Sequence, residues 1–520
     1  MGESGREGSG QRPTARGTGR PAFRYRRTLG RPKPTHLVIR PVGAALVVED
    51  PHGAPGPGNG AGTAAVGTAT AGSTAAAAGV ALGATTGKGA DAGFLERFAR
   101  LLPADPSTRT VLVPDGVDLG RSLERLDPVV EHLRDGERLR LVLGSASVQE
   151  DGGSCPASQL ATRIGREVIV PDGPVLLHPG GTLYVTHPDG PQWGAGRWLR
   201  FRPGSSPVAL GAHYPAPRWI EHARQTMATA GRIAHGEVLG IPIPAGWMLR
   251  RLGASAERPH GDLSFSVPVN DHWCTVLLGC GDELAPDALQ VAGWLENLPP
   301  ELRARVALGA QGTGPARDAR SWPWAVARAL GQRVAAWSGV PLADEAGTVR
   351  VTICAHAGAP AWCPTAGLLL VSPTGRCDIA AWQYRPGADL PPCAPDPEGR
   401  PVAPLPEGWV CEVVPSGLWI RPREVEPSPV RRPVLDALPT AERLTLVVGT
   451  TGRRVPSGVW SRLPGLVTSM PPQMRSRLDL VIIGEVSVPG LNAVTAVTDR
   501  YKVSCGFRDE LAEPGPPASA

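Results

Sequence analysis

The sequence predicts an α/β protein of three related modules, each a partly parallel sheet with flanking helices and added antiparallel hairpins. Three observations carry that reading. Short apolar runs alternate with segments of helical length, two stretches repeat one scheme, and a third follows it more faintly. Thr275-Val276-Leu277-Leu278-Gly279 leads through a helix-like segment, Leu284 to Leu298, and then through Pro299-Pro300 to a second apolar run ending at Gly309. Leu446-Val447-Val448-Gly449 leads in the same way past Trp460 and Leu463 to Pro471-Pro472 and then Leu480 to Gly484, about 170 positions further on. Thr110 to Val113, a periodic segment to Leu133, and Leu139 to Gly144 form the fainter copy.

Residues 1–34 contain eight Arg and Lys33 against Glu3 and Glu7, while the whole chain is only +5, so the rest is slightly acidic. Attraction to nucleic acid would therefore come from this tail, through phosphate contact without base reading. Its Gly, Arg, Pro and Ser content predicts a disordered basic leader. Residues 35–50 hold two strand-like runs, His36 to Arg40 and Ala44 to Val48, assigned to the first module. Residues 51–92 are an Ala/Gly/Thr linker. Pro51 to Gly87 contains no Asp, Glu, Lys or Arg, yet Val66, Val80 and Leu82 are its only large apolar side chains, which excludes a strongly driven membrane segment.

The first module spans residues 93–243. Phe94, Leu95, Phe98 and Leu101 recur at helical spacing, and Pro103 ends that helix. Thr110 to Val113 is a strand, Leu119 to Leu133 one helical face, and Leu139 to Leu143 a second strand. Leu160 to Ile164 is a short helix closed by Gly165, and Val168 to Val170 a third strand. This order implies parallel pairing with right-handed crossovers. Val175 to Leu177, Thr182 to Val185 and Trp198 to Phe201, split by Pro and Gly turns, predict hairpins added to that sheet, and a helix is expected near residues 219–232.

The second module spans residues 244–404 and opens at Gly246-Trp247. The third, shorter module spans 405–509 and opens at Gly408-Trp409, taken as the matching pair. Trp324 to Leu330 with Gly331 mirrors Leu160 to Ile164 with Gly165. Residues 510–520 form a disordered tail. Composition agrees with many short elements, since 65 Gly and 57 Pro punctuate a chain only 19% charged.

Nine cysteines, an odd number with several inside apolar runs, predict reduced buried thiols and a cytoplasmic protein, and no apolar signal core follows Met1. Gly87-Lys88 resembles a phosphate loop, but Leu82 and Gly89 replace the required Gly and Ser/Thr, so it is rejected. No metalloprotease His pair, hydrolase elbow or zinc-type Cys pair occurs, and neither a cofactor nor a metal is expected. The best catalytic candidates are Cys354 and His356, at a strand end where α/β sheets place reactive groups. Two residues apart on an extended chain favours a structural pair over face-to-face approach. Cys155 with His178 is a weaker pairing, and Asp271-His272-Trp273-Cys274 reads as packing with a hydrogen-bonded histidine.

The stretch carrying Cys155-Pro156-Ala157, Leu160-Ala161, Gly165, Val168, Val170-Pro171-Asp172-Gly173, Gly181-Thr182-Leu183 and Trp198 to Phe201 resembles a module of very large actinobacterial proteins of polymorphic-toxin type. That resemblance, over about fifty residues, implies a noncatalytic or peptidase-related α/β unit. No toxin domain is recognisable beside it.

Positions just past the repeated strands are Pro114, Cys280 and Thr450, then Ser145, Ala310 and Glu485. The packing pattern persists while the polar groups vary. The expected function is a noncatalytic scaffold or protein-interaction component, alone or within a larger assembly. Alternatives are a cysteine hydrolase with only the middle module competent, and a nucleic-acid-associated protein working through residues 1–34. No membrane partner is expected.

Overall fold

The computed structural model describes residues 38–49, 80–81, 92–113, 126–143, 155–178, 181–187, 195–223, 233–253, 262–280, 283–311, 322–343, 348–354, 360–383, 392–397, 399–424 and 443–508. The basic leader, most of the linker and the C-terminal tail lie outside them.

Up to residue 214 the strands are β1 (Val38–Val42), β2 (Ala45–Glu49), β3 (Val80–Ala81), β4 (Thr108–Val113), β5 (Arg138–Leu143), β6 (Val168–Pro171), β7 (Val175–His178), β8 (Thr182–Val185), β9 (Trp198–Phe201), β10 (Val208–Ala209) and β11 (His213–Tyr214). β2, β4, β5 and β6 pair in parallel, with antiparallel β1 on one side and β9 then β10 on the other. β9 joins this sheet as the turn pattern predicts. β7 and β8 do not; they make a separate antiparallel sheet ordered β11-β8-β7-β3.

Next come β12 (Ile233–His235), β13 (Val238–Ile243), β14 (Gly246–Arg251), β15 (Cys274–Leu278), β16 (Val306–Ala310), β17 (Val334–Trp337), β18 (Val340–Ala343), β19 (Val349–Cys354), β20 (Pro360–Trp362), β21 (Ala366–Val371) and β22 (Cys377–Trp382). β14 to β17 pair in parallel, flanked by the antiparallel β12-β13 pair and by β21-β22. The last are β23 (Ala394–Pro395), β24 (Pro401–Pro404), β25 (Trp409–Val414), β26 (Gly417–Pro422), β27 (Leu444–Gly449), β28 (Leu478–Ile483) and β29 (Ser504–Arg508). β26 to β29 pair in parallel behind antiparallel β23, β24 and β25. The molecule is thus α/β, with mixed sheets and antiparallel hairpins.

The registers correct one detail of the sequence reading. Thr275 faces Gly246 across β15 and β14, and Thr445 faces Gly417 across β27 and β26. Gly417, not Gly408, is therefore the counterpart of Gly246. Trp409 lies one strand earlier, on antiparallel β25. Both glycines have positive φ, 146° and 149°, and a Cβ there would come within 2.3 Å of Thr275 O or 2.2 Å of Thr445 O. β12-β13, before 243/244, and β23-β24, before 404/405, hydrogen-bond forward into the following sheet. Turn glycines punctuate a hairpin as strongly as a linker, which is why both boundaries fall inside hairpins.

Apolar alternation gives each sheet two dry faces. In the first, Leu46, Val111, Leu139 and Leu141 pack on Leu160 of the Pro156–Ile164 helix, while Val47, Leu112 and Val142 pack on Phe98 of the Ala92–Leu101 helix and on β7-β8. Each such fully buried side chain contributes about 1.5–3 kcal/mol. In the second, Trp247, Val276 and Leu278 meet Trp294 of the Ala288–Glu296 helix, which Asp287 and Gln290 start as a capping box. Its other face joins Met248 and Leu277 to Leu176 and Tyr184 of the small sheet. A chain of rings crosses that joint: Tyr184 to His213 at 4.9 Å, then Trp219 at 5.6 Å, Trp247 at 6.3 Å and Trp294 at 5.9 Å. The expected helix near residues 219–232 begins with residues 220–223, and 224–232 lie outside the described residues.

Candidate functional site

Open α/β sheets place ligands outside the carboxyl ends of their parallel strands. In the second sheet that edge carries Arg250 from β14, Cys280 and Glu283 after β15, and Gln311 after β16. Arg250 is 4% exposed and its Nε donates to Glu283 at 2.7 Å. Cys280 is fully buried, and burial first, then the Asp262 carboxylate, push its thiol far above the ordinary range. Four residues beyond Gly417, as Arg250 is beyond Gly246, stands Arg421. It is 1% exposed, is paired with Glu412, and its Nη1 donates to Pro422 O at 2.9 Å and Arg423 O at 3.1 Å. Both arginines are thus held by a carboxylate at their strand ends, Arg421 by two carbonyls as well.

The proposed catalytic pair is not assembled by the described residues. Cys354 ends β19, but β19 belongs to the antiparallel sheet β18-β19-β20, not to the parallel one, so the strand-end argument does not apply to it. Burial first, and then the neighbouring Cys363, push its thiol up to about 12, and its Sγ donates to Thr352 O at 3.8 Å. At neutral pH this is a thiol, not the thiolate a nucleophile requires. His356 lies outside the described residues. Cys155 caps the Pro156–Ile164 helix and packs with the core on one face of the first sheet. His178 ends β7, which packs on the opposite face, so the sheet stands between them.

Asp271 pairs with Arg218, and Cys274 is fully buried in β15. His272 differs from expectation: it is exposed, and its backbone N–H, not its ring, donates to Asn270 Oδ1. None of the nine cysteines is joined in a disulfide. Among the described residues, no group of three or more His, Cys, Asp and Glu could hold a metal ion, and no helix is long and apolar enough to cross a membrane.

The opposite end of the second sheet carries no motif that marks it in the sequence. A partly open cavity of about 280 Å³ lies at the amino ends of β16 and β17, walled by Leu295, Val306, Leu308, Val334 and Leu330 with Arg303 at its side. Arg303 belongs to Pro299-Pro300-Glu301-Leu302-Arg303, repeated as Pro471-Pro472-Gln473-Met474-Arg475. The repeat has one physical reason. Arg303 Nη2 donates to Glu296 O at 3.0 Å, and Arg475 Nη1 to Thr468 O at 2.9 Å. Each guanidinium thus satisfies a carbonyl seven residues back, at the negative end of the preceding helix.

No family model, no curated protein and no solved structure matches this chain.

Proposed function

We propose that the protein is a noncatalytic scaffold or protein-interaction component, built from one α/β block copied along the chain and working within a larger assembly. The observation that carries this reading is the outer edge of β29. In the first and second sheets, the last parallel strand is covered by antiparallel β9 and β21. In the third, no described strand pairs with the outer edge of β29, and Phe507 on it is 56% exposed. An uncovered edge presents a row of N–H and C=O groups to which another chain's strand can add. Other exposed apolar side chains follow the carboxyl ends of parallel strands, Val488 and Leu491 after β28 in the third sheet and Leu252, Leu284 and Leu289 after β14 and β15 in the second.

The cysteine-hydrolase alternative draws no support from Cys354, whose surroundings hold the proton on. The test is isolation of the native assembly, followed by reconstitution with its purified partner. Phe507→Asp with Leu491→Asp is expected to weaken the reconstituted complex at least tenfold while circular dichroism stays unchanged. A complex indifferent to both changes overturns the reading. So does selective labelling of one cysteine by a thiol-reactive electrophile in a protein that hydrolyses peptides.

A further inference from the structure

We infer that the cavity at the amino ends of β16 and β17 binds a small planar ring carrying a hydroxyl group, a phenol or the side chain of a tyrosine. The inference goes beyond the interaction reading and does not depend on it. It rests on what the third sheet does at the matching place. Leu330 is the last residue of its helix before the left-handed Gly331, and Tyr501 is the last residue of its helix before the left-handed Lys502. Leu330 borders the open cavity. Tyr501 instead lays its ring under Arg475, 5.1 Å from ring centroid to guanidinium carbon, and its hydroxyl meets Thr468 Oγ1 at 2.7 Å. Thr468 Oγ1 also lies 2.7 Å from Pro464 O, where it donates, so it accepts from the tyrosine.

The second sheet keeps the receptor for such a ring without the ring. Arg303 holds the same helix carbonyl as Arg475, its Nε is buried with no hydrogen-bond partner among the described residues, and Leu295, Val306 and Leu308 supply apolar walls. Gln332 lines the cavity beside Leu330, and its side-chain amide oxygen can accept from a phenol as the Thr468 hydroxyl does from Tyr501. Arginine over an aromatic face is attractive, more so when water is excluded. A volume of about 280 Å³ is at the small end of ligand sites, which suits one ring better than a nucleotide or an acyl chain.

The experiment is titration of the full chain with phenol, with cyclohexanol, and with N-acetyl-tyrosinamide, followed by calorimetry and by thermal shift. Phenol is expected to bind at least fivefold more tightly than cyclohexanol, which has the size but not the π face. Leu330→Tyr, which rebuilds the third sheet's own occupant, is expected to lose phenol binding at least tenfold and to raise the melting temperature. Should that variant misfold, Ala335→Leu narrows the same cavity and takes its place. Tighter binding of phenol assigns the site to a free small molecule, and tighter binding of capped tyrosine assigns it to a protein side chain. No binding of phenol or capped tyrosine, or equal binding by wild type and a folded cavity-filled variant, overturns the inference.

Discussion

The second and third sheets solve the same packing problem with different degrees of closure. Both lead with an antiparallel pair, continue with four parallel strands, and turn a strand around a positive-φ glycine, Gly246 or Gly417. Both bury an arginine four residues later. Arg421 finds Glu412 on the neighbouring strand β25, 8% exposed, and two backbone carbonyls besides. Arg250 finds Glu283 in a connecting segment, and that carboxylate is 25% exposed. The third sheet fills its amino end with Tyr501 where the second leaves a cavity. Conversely, the second sheet covers its last parallel strand with β21 where β29 is uncovered by any described strand. Closure at one end and opening at the other are exchanged between them, so the shared scaffold does not by itself dictate where a surface is offered.

The buried ion pairs provide the sharpest way to break this comparison. Arg421→Met strands Glu412 in a dry site and is expected to cost about 3–5 kcal/mol. Arg250→Met leaves Glu283 free to turn toward water and should cost less than half of that. Chemical denaturation of the two variants measures both, and equal losses would remove the distinction drawn between a strand-held and a segment-held partner.

The joint between the small β11-β8-β7-β3 sheet and the second sheet adds a dependence on acid. His213 is buried in the ring chain with Nε2 2.6 Å from Pro244 O, and burial depresses its pKa to about 4. The unfolded histidine titrates near 6.5, so the native state is fully favoured above that pH. Stability then falls as the pH drops from about 6.5 toward 4, because the unfolded chain takes up a proton that the folded one refuses. The full loss approaches about 3 kcal/mol, from roughly 1.4 kcal/mol per pH unit. His213→Phe is expected to flatten the denaturation midpoint over this window. An unchanged slope would mean that other groups carry the acid sensitivity.

Most of the α/β grammar was legible because it is written in apolar alternation and turn residues. Thr275 to Gly279, Leu480 to Ile483 and the Gly165 and Gly331 caps all occupy the elements their pattern implies. Hairpin membership was not legible, since Gly408-Trp409 and Gly246-Trp247 look alike in sequence and differ only in which neighbour each strand pairs with. The cavity was hidden for a related reason. Pro299-Pro300 stood out as a repeat, but Arg303 after it did not, and its meaning depends on Leu330, a residue that reads as ordinary core until Tyr501 is seen in its place.

The two glycine turns come next in size. Gly417→Ala forces an L side chain to φ near 149° and toward Thr445 O, and Gly246→Ala does the same against Thr275 O. Each is expected to cost about 1–3 kcal/mol, read as a lowered denaturation midpoint. Ala45 occupies the corresponding register opposite Thr110 in the first sheet. The penalty must therefore arise from the positive φ and the close approach in the other two sheets, and a neutral Gly417→Ala would show that β26 can relax to the geometry of β2.

The smallest effect concerns the helix ends that precede the last parallel strands. Gly165 and Gly331 close theirs at φ 66° and 62°, where a Cβ would meet nothing within 4 Å, whereas Lys502 closes the third at φ 53° and ψ 38°. An L residue in this region pays about 1 kcal/mol. Lys502→Gly should therefore raise stability by about that amount, and Gly331→Lys should lower it by a similar amount, because space is not the obstacle at either place. If Lys502→Gly is neutral, the lysine charge near the carboxyl end of the Val488–Tyr501 helix offsets the strain, and Lys502→Ala, which keeps the strain without the charge, would then be the more damaging change.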